Sequence, residues 1–152
     1  MESLSNLIYA SVATKDMDRS ELLRLLQQVR HANAQVGVTG VLLYEDGNFL
    51  QVLEGYKETV QQVFKKIGQD KRHNRIVQII EEPISKRTFG NWTMAFSSVS
   101  REELSTIPGL NDFFATGSMF TQLDNGRAKR LIAAFRQGRW RQKLASAEVE
   151  LA

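Results

Sequence analysis

Two apolar runs, VTGVLLY at residues 38–44 and FLQVLE at 49–54, flank the four residues Glu45, Asp46, Gly47 and Asn48. An Asp-Gly pair between strand-like runs is a strong local hairpin signal, because the favoured two-residue turn needs positive φ at both central positions. The hairpin commits the chain to an antiparallel pair, and every other element must be arranged around it. Residues 4–12 (LSNLIYASV) read as an earlier strand, and 76–80 (IVQII) and 92–99 (WTMAFSSV) as two later ones. Two helices interleave with these strands. The first starts at Asp18, with Glu21 three residues on as in a capping box, and carries Leu22, Leu25, Leu26, Val29, Ala32 and Asn33 along one stripe until Gly37. The second opens after Gly55 and turns Val60, Val63, Phe64 and Ile67 to one side.

The order β-α-β-β-α-β-β predicts an α+β sandwich of the ferredoxin-like kind. It has a mixed five-stranded sheet, both helices on one face, and the first and third strands side by side in the centre. A chain of 152 residues accommodates one such domain with a helical appendage. The expected division is a sandwich over residues 1–99 and a helical extension over 100–152. In the extension, Ser100 and Glu103 repeat the capping-box spacing, and Pro108-Gly109 breaks the short helix they start. Asp124 then precedes a longer helix with Ala128, Leu131, Ile132 and Phe135 on its apolar side.

Composition removes several chemistries. With no cysteine there is no disulfide, thiolate nucleophile, cysteine zinc site or cysteine adduct to a cofactor. His31 and His73 are the only histidines, so a metal site is not expected. No apolar run reaches the roughly 18 residues of a membrane span, and the N-terminal stretch lacks a basic n-region, so a cytoplasmic location is expected. The adjacent pairs Glu81-Glu82 and Glu102-Glu103 point to different sides of their elements, and no Ser-His-Asp set is visible, so an enzyme is not expected. Charge is uneven. Residues 127–143 hold Arg127, Lys129, Arg130, Arg136, Arg139, Arg141 and Lys143 with no acid, and Trp140 lies among them. That segment suits nucleic acid, an anionic membrane surface or an acidic partner; a solvated face on a docked helix is the plainer reading.

Polar residues in slots that the pattern assigns to the core carry the most information, since a buried polar group needs a partner. Asn33 shares its stripe with Leu22, Leu26 and Val29. Gln51 lies between Phe49 and Leu53 on one strand face, and Tyr9 sits in mid-strand. If the first and third strands are neighbours, Tyr9 and Gln51 meet. Each alone is ordinary, an edge amide, a wet tyrosine or a helix cap, but three aimed at one helix–sheet cleft offer donors and acceptors to a heteroaromatic ligand. Trp92 and Met94 share a face with Phe96, and Asp70-Lys71-Arg72-His73 closes the second helix with clustered charge.

These residues lie in segments that resemble the BLUF family, blue-light sensors using flavin: LIYAS at 7–11, NAQVGVTG at 33–40, LLYEDGNFLQVLEG at 42–55, DKRH at 70–73, PISKRTF at 83–89 and NWTMAF at 91–96. They cover about two-thirds of the chain, in family order. The resemblance implies the sandwich fold with a flavin, FAD or the shorter FMN or riboflavin, held noncovalently between the helices. Tyr9 then matches the photoactive tyrosine and Gln51 the switching glutamine, while Asn33 matches the asparagine bonded to the flavin ring. Phe49 and Ile67 are implied as apolar walls, and Asp70, Arg72 and His73 as the group at the ribityl and phosphate end. Trp92 and Met94 match the pair that relays the signal. Val29 and Ala32 depart from polar residues found in several members. The implied mechanism has no net catalysis: an electron and a proton leave Tyr9, return by way of Gln51, and leave its amide rearranged. The implied output runs through the C-terminal helices of a short stand-alone member to a protein partner, in a homo-oligomer. The rival is a ferredoxin-like binding module whose basic helix contacts nucleic acid or another anion. The aromatic-and-basic strand signature of RNA-binding sandwiches is missing.

Overall fold

The Asp46-Gly47 hairpin forms in a computed structural model of the chain, which describes residues 3–90 and 93–137. The expectations for Trp92, Arg139, Trp140, Arg141 and Lys143 lie outside the described residues. Asp46 and Gly47 have φ of 44° and 86°, the left-handed values the turn requires, and Asn48 Nδ2 closes it by donating to the Glu45 carbonyl at 3.0 Å. The turn joins β2 (Thr39–Glu45) to β3 (Asn48–Tyr56). Before them come β1 (Leu4–Ala13) and α1 (Arg19–Gln35), the latter started by the capping box of Asp18 and Glu21. After them come α2 (Lys57–Ile67), β4 (His73–Pro83) and β5 (Ala95–Ser98).

The sheet order is β4-β1-β3-β2-β5, mixed and five-stranded, with β1 and β3 in the middle as expected. All pairs are antiparallel except β2 with β5. β4 is longer than the apolar run IVQII indicates, because it follows β1 almost to both ends, with irregularities opposite Ile8/Tyr9 and Ala10/Val12. β5 is shorter than the expected strand, its pairing with β2 starting only at Val41↔Ala95.

Period-two alternation sorts the central strands. Leu7, Tyr9 and Ser11 with Phe49, Gln51 and Leu53 form one face, toward α1 and α2. Ile8 and Ala10 with Leu50 and Val52 form the other. The segment after β5 covers that second face. It comprises α3 (Arg101–Leu104), α4 (Asn111–Ala115), a 3-10 turn (Phe120–Gln122) and α5 (Asn125–Arg136), and the turn packs on β1, β3 and β4. Phe114, Phe120 and Phe135 are fully buried in the same continuous core as Leu7 and Leu50. The described part of the extension is therefore a third layer. Arg101 ties it down, bonding Glu45 Oε1 at 2.8 Å and the Phe114 and Ser118 carbonyls while lying over the Phe114 ring. Burial raises the Glu45 carboxyl above the usual range even with Arg101 beside it. Three basic side chains of α5 are engaged within the chain: Arg127 with Asp124 at 2.9 Å, Lys129 with Glu82 at 3.3 Å and Arg130 with the Pro108 carbonyl. No helix among the described residues is long and apolar enough to cross a membrane.

Candidate functional site

The β1–β3 register sets Tyr9 directly opposite Gln51, and the β2–β3 register sets Leu42 opposite Gln51 on its other side. Both polar side chains are almost fully buried on the face toward the helices, so each end of the Gln51 amide must find a partner. The Tyr9 hydroxyl donates to Gln51 Oε1 in a short hydrogen bond. At the other end Gln51 Nε2 donates to Met94 Sδ at 3.4 Å, and sulfur is a weak acceptor. Met94 thus reaches the pair from the segment entering β5. Burial, with the charge of Asp70 adding to it, pushes the Tyr9 phenol well above its ordinary value, so it stays a hydrogen-bond donor.

Around this pair a cleft opens between α1, α2 and the sheet. Its inner compartment, ≈ 390 Å³ and open to solvent, is walled by Tyr9, Phe49, Gln51, Ile67 and His73, with Leu25, Val29 and Leu42. An outer compartment of ≈ 750 Å³ continues it between α1 and α2, sharing Val29, Ile67, Asp70 and Arg72, with Asn33 and Lys66 on its walls. Asp70 and Arg72 lie at the mouth. Arg72 Nε bonds both Asp70 oxygens at 3.0 and 3.1 Å, and its Nη1 reaches across to Gln28 Oε1 on α1 at 2.8 Å. The guanidinium holds the Asp70 carboxyl below the usual range. His73 is a fixed part of the cleft wall. Its Nε2–H points at the Ile67 carbonyl and its Nδ1 at the Ser11 hydroxyl, each at 2.7 Å, with its ring edge-on to Phe49 and Tyr9.

One buried polar atom is left over in the cleft wall. Asn33 is 3% exposed, and its Nδ2 has no hydrogen-bond partner among the described residues. An orphaned amide donor is costly without a ligand and satisfied by a ligand carbonyl. A flavin fits this inventory: a flat ring for the apolar slot, carbonyls for Asn33 and Gln51, and a polar tail for the open mouth. Tyr9, Asn33, Gln51, Phe49, Ile67, Asp70, Arg72 and His73 converge on the one cleft, and Met94 touches it through Gln51. Sequence reading missed Gln28 and Lys66, which sit on the polar sides of their helices, where residue type carries no signal. It also missed Ser11, whose parity with Tyr9 was visible, and Arg30, whose Nε donates to the Met94 carbonyl at 2.8 Å.

The family model for BLUF, described as sensors of blue light using FAD, matches residues 4–95. A photoactivated adenylate cyclase subunit beta of Euglena longa is 37% identical over 124 residues, 80% of this chain and 14% of that protein. The blue light- and temperature-regulated antirepressor BluF of Escherichia coli (strain K12) is 31% identical over 133 residues, 87% of this chain and 32% of that protein. Among solved structures, the dark state of BlrB, a BLUF protein, superimposes with a TM-score of 0.69 at 30% identity, covering 89% of this chain and 98% of that one. BlsA in its ground state gives a TM-score of 0.72 at 28% identity, covering 88% and 87%. The chain spans well under half the length of either curated relative.

Proposed function

This chain belongs to the BLUF family of flavin-binding blue-light sensors, and from that premise we propose that Tyr9 and Gln51 are its switching pair, acting on a noncovalent flavin in the cleft between α1 and α2. The observation that carries this reading is the buried chain of bonds from the Tyr9 hydroxyl through the Gln51 amide to Met94 Sδ. Bound flavin supplies absorption of blue light and, once excited, an acceptor for an electron. Tyr9 is the donor: it gives up an electron and its phenolic proton together and recovers both, so no net chemistry occurs. Gln51 accepts at Oε1 and donates at Nε2, so a half-turn or tautomer change of its amide exchanges the two roles without moving the strand. Asn33 Nδ2 would supply a donor to a ring carbonyl, Phe49 and Ile67 would give the ring apolar walls, and Arg72 and Asp70 would hold the ribityl end. FAD is the preferred form, with FMN and riboflavin sharing the ring and ribityl recognised here.

Rearrangement at Gln51 changes what Met94 meets, and Met94 leads directly into β5 and the C-terminal layer. Output through that layer to a protein partner follows from this connectivity. Relatives named as cyclase subunits and as an antirepressor support a protein effector. The test is an absorption spectrum before and after blue light. The purified protein is expected to be yellow, with its blue band moving reversibly to longer wavelength, and Tyr9→Phe and Gln51→Leu each to abolish the movement while retaining flavin. Bound flavin without a reversible shift, or a shift surviving both substitutions, defeats the proposal.

A further inference from the structure

Arg30 occupies a slot where a charge is out of place. Counting along α1, it follows Leu26 by four residues and precedes Asn33 by three, so it continues the line of buried side chains that faces the sheet. A guanidinium in such a position needs a fixed acceptor. Its Nε finds one at 2.8 Å in the carbonyl of Met94. That carbonyl lies one residue before the β2–β5 ladder begins at Val41↔Ala95, so strand pairing does not claim it. The same residue's sulfur receives the Gln51 amide at 3.4 Å, and Met94 is 1% exposed.

We propose that Arg30 is a positioning residue for the switch, holding the Met94 backbone so that its sulfur stands against Gln51 Nε2. The proposal rests on Gln51 being the switching residue. Sulfur accepts a hydrogen bond and does not donate one, so a sulfur fixed at this place favours the amide orientation that turns nitrogen toward Met94 and oxygen toward Tyr9. Arg30 selects between the two amide orientations from α1 through one backbone carbonyl. Removing the tether lets Met94 withdraw and weakens the preference for the starting orientation.

Two substitutions separate the tether from simple packing. Arg30→Leu keeps an apolar stem and deletes the donor. Arg30→Gln places an amide nitrogen the same number of bonds from Cα as the arginine Nε, so it keeps the donor and discards the charge. In flavin-free protein with labelled methionine methyls, Arg30→Leu is expected to move the Met94 resonance, identified through Met94→Leu, and Arg30→Gln to leave it in place. In the flavin-loaded protein, thermal return after illumination is expected to slow about threefold in Arg30→Leu, the worth of one weak hydrogen bond, and to keep the parent rate in Arg30→Gln. A Met94 resonance unmoved by Arg30→Leu overturns the tether in either form of the protein. A return rate unchanged or faster in Arg30→Leu, or equally slow in Arg30→Gln, overturns the positioning role. Absence of any reversible shift in the parent defeats the switching assignment instead, and the methyl resonance then decides the tether alone.

Discussion

Gln51 stands between Phe49 and Leu53 on the helix-facing side of a buried strand, and such an amide is tolerated only with partners at both ends. Tyr9 and Met94 are those partners, one strong and one weak. Asn33 differs in having a donor with nothing to meet. Asn33→Ala is therefore expected to weaken flavin binding about five- to tenfold, the ~1–1.5 kcal/mol of one hydrogen bond, while leaving the flavin-free protein as stable as the parent. Titration with flavin followed by its fluorescence, beside a denaturant melt of the flavin-free form, reads both. Tyr9 gives a pH dependence with a definite sign. Its folded pKa is raised by burial, whereas in the unfolded chain the phenol ionises near ~10, so above that pH the unfolded state gains stability first. Parent protein should lose stability above about pH 10 by up to ~1.4 kcal/mol per unit from this group, and Tyr9→Phe should remove that part of the loss. Melts from pH 8 to 11 compare the two, and identical alkaline limbs would contradict the buried neutral phenol. The three polar residues were legible because alternation and helical spacing place them in core slots. Arg30 was not, because its acceptor is a backbone carbonyl 64 residues away.

At the scale of elements, local chemistry and long-range pairing divide the outcome. The Asp18 and Ser100 capping boxes and the Asp46-Gly47 turn form where residue type asks for them, since their partners lie within three residues. Strand ends do not follow the same logic. β4 extends to His73 and Pro83 because β1 is there to pair with, and β5 stops short because β2 engages it only from Ala95. Gly40 shows how tightly the hairpin closes. A Cβ at this position stands 1.8 Å from the Val52 carbonyl oxygen, so Gly40→Ala must prise β2 from β3. A cost of about 4 kcal/mol or more is expected, in the range reserved for gross steric conflict. Gly55→Ala, whose methyl meets Val38 and Val60 at 3.4 Å, is the mild control. Thermal unfolding of both proteins checks the contrast, and equal midpoints would refute the close approach.

Across the whole molecule, one core serves both faces of the sheet. Leu7 and Phe64 stand on the cleft side, Phe114, Phe120 and Phe135 on the other, and the strands carry side chains into both. Phe120→Ala is expected to cost about 3–5 kcal/mol and to lower the stability of cleft and C-terminal layer together, in a single transition seen alike by flavin fluorescence and far-UV signal. Separate transitions would mean that the layer is an independent unit. The sequence by itself determined the sandwich topology, the central place of the first and third strands, and the placing of Tyr9, Asn33 and Gln51 in core slots facing one cleft, whereas the flavin and the switching role were implied by the resemblance to the BLUF family. Topology and placing follow from period, turn chemistry and residue type, which are local. Only the tertiary structure decided that the helical extension is a third layer clamped by Arg101 on Glu45, that His73 is locked between Ser11 and Ile67, and that Arg30 holds Met94. Those are contacts between residues distant in the chain, made through backbone carbonyls and side chains that no local pattern distinguishes, and they exist only once the core has brought the elements together.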